Sequence, residues 1–187
     1  MDAGMAGDGL MQHTLRFAAE LGVEACLGFD PALLVPEERI RTLCFENKCG
    51  NYRAHYMCPP YVGEIEELEA RLARYRRGVL LQYSRRLDVR NDSEGLKRTK
   101  NDFHDRILEL ETFIKDRGVD GVWGMMGGSC ALCEPCKAKL GEPCAYPEKA
   151  RMSLESIAVN VLALLDRFGL DNRFHPDRIT WTGCVLF

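Results

Sequence analysis

The 187-residue sequence has no long apolar run, no excess of positive charge and no internal repeat. No stretch approaches the roughly 20 apolar residues that span a bilayer, and residues 1–9 lack the basic start and apolar core of a signal peptide. A net charge of -3 and a pI near 5.9 argue against nucleic-acid binding, which is typical of basic chains. We therefore expect a cytoplasmic protein with neither a membrane nor a nucleic-acid partner.

The sequence also lacks the pattern of a disulfide framework. Its nine cysteines are an odd number, and seven of them fall into two dense groups instead of spreading along the chain. In a reducing compartment such grouping indicates metal binding rather than cross-linking. The two remaining cysteines, Cys26 and Cys184, lie in strand-like segments and are expected in the core.

The apolar content of 46% is enough for one hydrophobic core. Helix-spaced apolar residues alternate with short β-rich runs, which favours an α/β or α+β fold with helices packed on a central sheet. We expect one domain over residues 1–187, with a mixed sheet of about four to five strands and two cysteine-rich metal-binding loops. The last helix is predicted to begin at Ser153 and to end at Phe168 as a mostly buried helix, because serine is a favoured N-cap.

The second cysteine-rich loop, residues 127–147, carries the stronger motif. Its pattern is Cys-x2-Cys-x2-Cys-x7-Cys, and the thiols, here named the four-cysteine group, belong to Cys130, Cys133, Cys136 and Cys144. Three thiolates packed so closely suit an iron–sulfur cubane, and the spacing resembles the bacterial ferredoxin run with a longer last gap. Zinc is the competing metal, although its structural sites usually pair two separate knuckles.

The first cysteine-rich loop, residues 44–60, holds Cys44, Cys49 and Cys58, here named the three-cysteine group. Three thiols leave one iron of a 4Fe-4S cluster open to water, a substrate, His55 or a partner's ligand. Ferredoxin runs hand their last cysteine to the other cluster, so Cys144 is a candidate fourth ligand here, which would move the open iron to the other loop. A further alternative is a folded loop of reduced thiols without metal. The sequence leaves these alternatives open.

Positive charge is concentrated in residues 71–100, which contain ten Lys or Arg residues and three acidic ones. Such a stretch suits a phosphate-bearing substrate, an anionic cofactor or an acidic redox partner, because complementary charge raises association rates. A solvated helix and loop face is the simpler interpretation. Lys149 and Arg151 follow the second loop, where positive charge would favour a more reduced cluster; the alternative is that they are ordinary surface residues.

Two segments together resemble a known family. Their sequences are CFENKCGNYRAHYMCPPYVG and GGSCALCEPCKAKLGEPCAYPEKARMSLES. They are similar to a prokaryotic domain-of-unknown-function family described only as predicted metal-binding proteins, and the resemblance spans residues 44–170. It covers all seven grouped cysteines, whereas Met152 stands where family members commonly have proline. The resemblance implies metal binding in anaerobe-type metabolism, without an established reaction.

The leading functional hypothesis is an iron–sulfur protein with two 4Fe-4S clusters, one at each cysteine group. It would act in electron transfer or as an accessory to an anaerobic enzyme, with a redox partner protein or a small-molecule substrate. One alternative is an enzyme whose open iron acts as a Lewis acid on a substrate. A second alternative is a zinc-stabilised interaction domain without turnover.

Overall fold

Four strands form one sheet at the centre of the protein. A computed structural model describes residues 3–187, with side chains from residue 9 onward. The strands are β1 (Ala25–Phe29), β2 (Gly78–Arg86), β3 (Trp123–Met125) and β4 (Arg178–Leu186). Their order in the sheet is β1-β2-β4-β3, and each of these pairings is antiparallel. Residues 1–2, at the start of the predicted domain, lie outside the described residues.

Helices pack on both faces of the sheet. The described helices are α1 (Ala3–Glu20), α2 (Glu38–Phe45), α3 (Ile65–Leu72), α4 (Ser93–Lys115) and α5 (Val161–Arg167), and all but α2 contribute to the two cores. On one face, Val79, Leu81 and Tyr83 of β2 share an apolar core with residues of α1 and α4. On the other face, Leu80 joins a second core that includes residues of α3 and α5. Because both faces are covered, the buried first part of β2, residues 78–83, is apolar on both faces except at Gln82.

The longest described helix, α4, is the wall against which both the sheet and the second cysteine loop pack. Its fully buried stripe consists of Phe103, Ile107, Leu110 and Ile114. This helical spacing is the pattern that the sequence showed, and burying each such side chain contributes about 2 kcal/mol. The helix begins after Asp92, whose side chain accepts a hydrogen bond from Gly95 N at 2.7 Å.

The predicted fold class is confirmed, since the described residues form one mixed α/β domain with a four-stranded sheet and five helices. The sheet differs from the expected mixed one in a single respect. In the described part of the chain, parallel pairing is limited to one bridge between Met126 and Ser153. Neighbouring strands of the sheet run in opposite directions, and β2 and β3, which α4 connects along the chain, run in the same direction on either side of β4. None of the described helices is long and apolar enough to cross a membrane.

The prediction of a helix from Ser153 to Phe168 is wrong in its first half. The helix α5 begins only after Asn160, whose side chain caps it. Before that point, Ser153 N donates to Ser156 Oγ at 3.0 Å and Ser156 N donates to Ser153 Oγ at 3.1 Å. Hydroxyl groups that satisfy backbone donors in this way compete with helix formation. The segment is buried as expected, but as turns.

Candidate metal centre

The loop 127–147 leaves the sheet after β3 and returns beside the same strand. Met126 N donates to Met152 O at 2.9 Å, which closes the base of the loop. Gly127 lies directly on β4, because a Cβ atom there would stand 3.0 Å from both the N and the O atoms of Thr182. The cysteines of this loop therefore project from a fixed point at the edge of the sheet.

The four-cysteine group lines one small cavity. The cavity is narrow, with a volume of about 10 Å³, and His55, Tyr56 and Met57 of loop 44–60 also line it. Burial raises the pKa of the Cys130 thiol, and the charges of the other three thiols of the group also act to raise it. Cys144 thus faces the cavity of its own loop, together with the cysteines that precede it in the motif.

The three-cysteine group is less evenly buried. Cys58 is buried, Cys44 is half-buried and Cys49 is exposed. Burial raises the pKa of Cys58 to about 12, and the thiols of Cys49 and Cys44 add to the rise, followed by those of Cys130 and Cys136. Because thiols of both groups act on Cys58, this residue lies at the junction between them. The two cysteine groups therefore adjoin.

A buried guanidinium group stands beside the three-cysteine group. Arg41 lies one helical turn before Cys44 on α2 and is only 3% exposed. Its Nη2 donates to Gly63 O at 3.1 Å, whereas Nε and Nη1 have no hydrogen-bond partner among the described residues. Burial raises the pKa of Cys44, and the charge of Arg41 opposes this rise. A buried cation with unpaired donors is costly, so the site favours negative charge next to Cys44.

The donors of the two groups do not converge on a single point. Among the described side chains, no set of three His, Cys, Asp or Glu residues is close enough to hold one metal ion. Four thiolates on one zinc ion would each lie about 2.3 Å from the metal and hence about 3.8 Å from one another. The thiols of the four-cysteine group instead surround a cavity. The donors are sulfur atoms, which suit soft metals and iron–sulfur clusters.

Buried polar contacts hold the chain that follows the four-cysteine group against α4 and β3. Arg151 donates to both carboxylate oxygens of Glu111, from Nε at 2.5 Å and from Nη2 at 2.7 Å. Glu111, whose side chain is 2% exposed, also accepts from Gly124 N of β3 at 2.8 Å. His104 Nε2 lies 2.7 Å from Lys149 O. The charge of Arg151 is therefore paired and half-buried, which differs from both roles that the sequence left open for it.

Arg41, Trp181 and the position of His55 are features that the sequence did not reveal. His55 lines the cavity of the four-cysteine group, and its Nδ1 is buried without a hydrogen-bond partner among the described residues. Burial lowers the pKa of its ring, as do the charges of Lys139 and then Lys100. The spacing of Arg41, one turn before the first cysteine of a predicted helix, was an available signal. No sequence signal indicated Trp181, because this residue reaches the region only through the pairing of the strands.

Cys26 and Cys184 lie apart from both cysteine groups. Cys184 is fully buried in β4, and burial raises the pKa of its thiol. Cys26 is half-buried on β1, where its Sγ lies 3.5 Å from Leu15 O. Both side chains pack in the hydrophobic cores, which is the position expected for them.

These features define a class of protein: a mixed α/β domain that carries two adjoining groups of thiol donors on its loops. The chain belongs to the family of predicted metal-binding proteins (DUF2284), whose model matches residues 29–187. This match confirms the family that the two cysteine segments resemble, and it includes both cysteine groups. Comparison with curated proteins and with solved structures gave no match. The family description and the thiol-lined site agree on metal binding.

Proposed function

We propose that this protein is an iron–sulfur protein with two 4Fe-4S clusters, one at each cysteine group. It would act in electron transfer or as an accessory to an anaerobic enzyme. The observation that carries the proposal is the single cavity lined by all members of the four-cysteine group, with the three-cysteine group next to it. Both loops belong to the part of the chain that matches the metal-binding family.

The spread of the thiols supports a cluster over a single ion. In a cubane each cysteine binds a different iron, so the four sulfur ligands stand apart around the inorganic core. A zinc ion would draw four thiolates to about 3.8 Å from one another, and no set of donors among the described side chains has such an arrangement. The four thiols that line one cavity would supply the separate ligands that a polynuclear group binds.

The charges around the three-cysteine group support an anionic occupant. Arg41 has two buried donors without partners, and a cluster with its thiolate ligands is negatively charged. Burial raises the pKa of Cys58 to about 12, so this thiol stays protonated near neutral pH unless a metal replaces its proton. The negative charge of the cluster with its thiolates and the positive charge of the guanidinium group would then offset the free-energy cost of burying each other.

Electron transfer is supported by the contact between the two groups. When bound, 4Fe-4S clusters supply one-electron transfer, and adjoining clusters exchange electrons readily. Cys58 and Cys136 are buried, and Tyr56 donates from its hydroxyl to Glu142 O at 2.6 Å, which ties loop 44–60 to loop 127–147. These residues would thus keep water away from the region between the two cysteine groups and fix the position of one loop relative to the other.

An enzyme with an open iron is the second candidate, and one observation favours it. Cys144 lines the cavity of the four-cysteine group, so the three-cysteine group lacks a fourth thiol. An iron without a cysteine ligand can act as a Lewis acid on a substrate oxygen or sulfur. The half-buried Cys44 and the exposed Cys49 leave this side of the site accessible to a ligand.

Metal and sulfide analysis after anaerobic purification tests the proposal. We expect a brown protein with about eight iron atoms and about eight acid-labile sulfides per chain. A colourless protein that contains zinc would contradict the proposal and favour a zinc-stabilised interaction domain. Electron paramagnetic resonance of the reduced protein then separates the two candidates. A spectrum that changes on adding small ligands supports the open iron, and one that no ligand changes supports the electron carrier.

The proposal includes a cytoplasmic setting, with a redox protein or a small molecule as the partner and with neither nucleic acid nor a membrane. All nine cysteines are free, which supports a reducing compartment. The net charge of -3 supports the exclusion of nucleic acid. Fractionation of cells under anaerobic conditions, followed by detection of the protein in each fraction, tests the setting.

A further inference from the structure

A cleft of about 700 Å³ opens beside the four-cysteine group. One of its walls carries Cys130, Cys133 and Cys136, and the opposite wall is the first part of α4. This volume lies within the range of about 300 to 1,000 Å³ that is typical of small-molecule sites. The cleft is separate from the small cavity that the cysteines themselves enclose, although both share the same loop as a wall.

Two ammonium groups in this cleft lack an anionic partner. Lys97 is paired with Glu134, Nζ to Oε2 at 2.6 Å, and this pair leaves Lys100 and Lys139 as the remaining lysines of the lining. In the described part of the chain neither of these two forms an ion pair. Lys100 is half-buried, which makes an unpaired charge there more costly than one in open solvent. The cleft therefore offers two cationic donors without ion pairs, and the carboxylate of Glu94 also lies in its lining.

An aromatic ring forms another part of the wall. Trp181 of β4 is fixed by a hydrogen bond from its Nε1 to Thr99 Oγ1 at 3.1 Å. Lys100 Nζ lies 5.7 Å from the centre of this ring, so the cation and the aromatic surface are neighbours. Gly128 makes room for both, since a Cβ atom there would stand 3.3 Å from Trp181 Cζ3 and 3.8 Å from Lys100 Cδ. A fixed aromatic surface beside a cation suits a ligand that has an apolar body and an anionic end.

We propose that this cleft binds a small organic anion, whose carboxylate or phosphate group contacts Lys100 and Lys139 while its apolar part lies along Trp181. The inference deepens the proposed function and rests on it, because the cleft would hold the ligand directly beside the cluster of the four-cysteine group. It also assigns a role to part of the basic stretch, residues 71–100, because Lys97 and Lys100 of this stretch line the cleft. The protein would then act on, or respond to, an anionic small molecule.

Isothermal titration calorimetry on the anaerobically prepared, cluster-loaded full chain tests this site. Inorganic phosphate and benzoate serve as the two probes, so that the phosphate and carboxylate chemistries are distinguished. We expect one of them to bind with one site per chain. Lys100→Gln and Lys139→Gln should each weaken that binding about 10-fold, because each removes one charge-assisted hydrogen bond. The matched control is Arg98→Gln, which removes one positive charge from an exposed position of the same helix and should change the affinity by less than about twofold.

Iron and sulfide content, measured on the same samples, keeps the two proposals distinguishable. Binding that depends on the lysines in a protein that holds zinc instead of iron would sustain the anion site and overturn the iron–sulfur proposal. Normal iron content without binding of either probe would overturn the anion site alone. An equal loss of affinity in Arg98→Gln would also overturn it, since the effect would then be that of net charge. Loss of iron in Lys100→Gln would assign the lysine to support of the cluster and would overturn the anion site as well.

Discussion

The two cysteine groups adjoin, but their surroundings differ. The four-cysteine group lies on a loop whose base is hydrogen-bonded at the sheet edge, and unpaired lysines line the cleft beside it. The three-cysteine group begins on α2, has one thiol fewer and has a buried cation, Arg41, one helical turn before Cys44 instead of cations open to a cleft. With the same ligand atom in both groups, the number of thiols and the position of the cation distinguish the two sites. We therefore expect the two groups to respond differently to the changes below.

Removing one thiol from each group is the strongest test of this comparison. Cys133→Ala should lose the metal of the four-cysteine group and Cys58→Ala that of the three-cysteine group, because each removes a thiolate ligand of the proposed cluster. Each variant should retain about four iron atoms per chain. Iron and acid-labile sulfide are measured after anaerobic purification.

Cys26→Ala is the matched control for both variants, because its thiol lies outside the two groups and contacts Leu15 O. Its iron content should equal that of the wild type. Unchanged iron in Cys58→Ala would mean that the three-cysteine group holds no cluster. Loss of all iron in either variant would mean that the two groups form one unit, and the comparison between them would no longer hold.

The parts of this site that could be predicted from the sequence are local ones. The four-cysteine group can be recognised in the sequence because its thiols lie within fifteen residues of each other. The helix α4 can be recognised because Phe103 and Ile107 start a regular apolar stripe. The sequence left the position of Cys144 open, since spacing alone allows it to serve either group. Only the cavity that it shares with Cys130 indicates its partners.

The contacts that could not be predicted join distant parts of the chain. Glu111 and Arg151 are 40 residues apart, and Trp181 is 82 residues from Thr99. The error at Ser153 has a different cause: an apolar pattern shows that a segment is buried, but not whether its backbone groups are satisfied by a helix or by serine hydroxyls. Periodicity thus located the elements, while the polar contacts that fix the loops depend on the tertiary fold.

Glu111→Gln tests whether the buried ion pair supports the four-cysteine group more than the three-cysteine group. The amide oxygen can still accept from Arg151 Nε and Gly124 N, but the NH2 group that replaces Oε2 cannot accept from Arg151 Nη2, and the mostly buried guanidinium group loses its counter-charge. We expect the free energy of unfolding to fall by about 3 kcal/mol. Glu109→Gln, at an exposed position of the same helix, is the control and should be close to neutral. Denaturant unfolding measures stability, and iron release under mild denaturant should come first from the four-cysteine group; equal release from both groups would contradict this.

The same ion pair predicts a dependence on pH. Burial acts to raise the pKa of Glu111, but hydrogen bonds and charges of Arg151 and Lys115 outweigh it and hold the pKa below its ordinary value of 4.5. A lowered pKa in the folded state stabilises the protein above that ordinary value, and the contribution disappears as the pH falls through the folded-state pKa. The stability difference between the wild type and Glu111→Gln should therefore shrink on acidification below about pH 4.5. A difference that stays constant there would show that the carboxylate charge is not its source.

Arg41→Leu tests the role of the buried cation at the three-cysteine group. Reduction adds negative charge to a cluster, and a nearby guanidinium group favours the reduced form. We expect the substitution to lower the midpoint potential of that cluster by about 60 mV, equal to about 1.4 kcal/mol for one electron, and to leave the other cluster unchanged. Arg41→Lys keeps the positive charge, so its midpoint potential should stay close to that of the wild type. Arg39→Gln, at an exposed position, is the control. Potentials are read from redox titrations followed by electron paramagnetic resonance. An equal shift at both clusters would show that Arg41 does not distinguish the two sites.

The smallest expected effect concerns the glycines of loop 127–147. Gly128 and Gly141 have φ values of 70° and 67°, so alanine at either position costs about 1 kcal/mol. A Cβ atom at Gly141 would meet no atom within 4 Å, whereas at Gly128 it would press on Trp181. Gly128→Ala should therefore lower the free energy of unfolding by about 0.5 kcal/mol more than Gly141→Ala, in denaturant unfolding. It should also weaken binding of the anionic probe, because Trp181 can move only toward the cleft or against its bond to Thr99. Equal effects of the two substitutions would mean that Trp181 moves aside at no cost. The cleft beside the four-cysteine group would then not be rigid, and it would not differ in this respect from the accessible three-cysteine group.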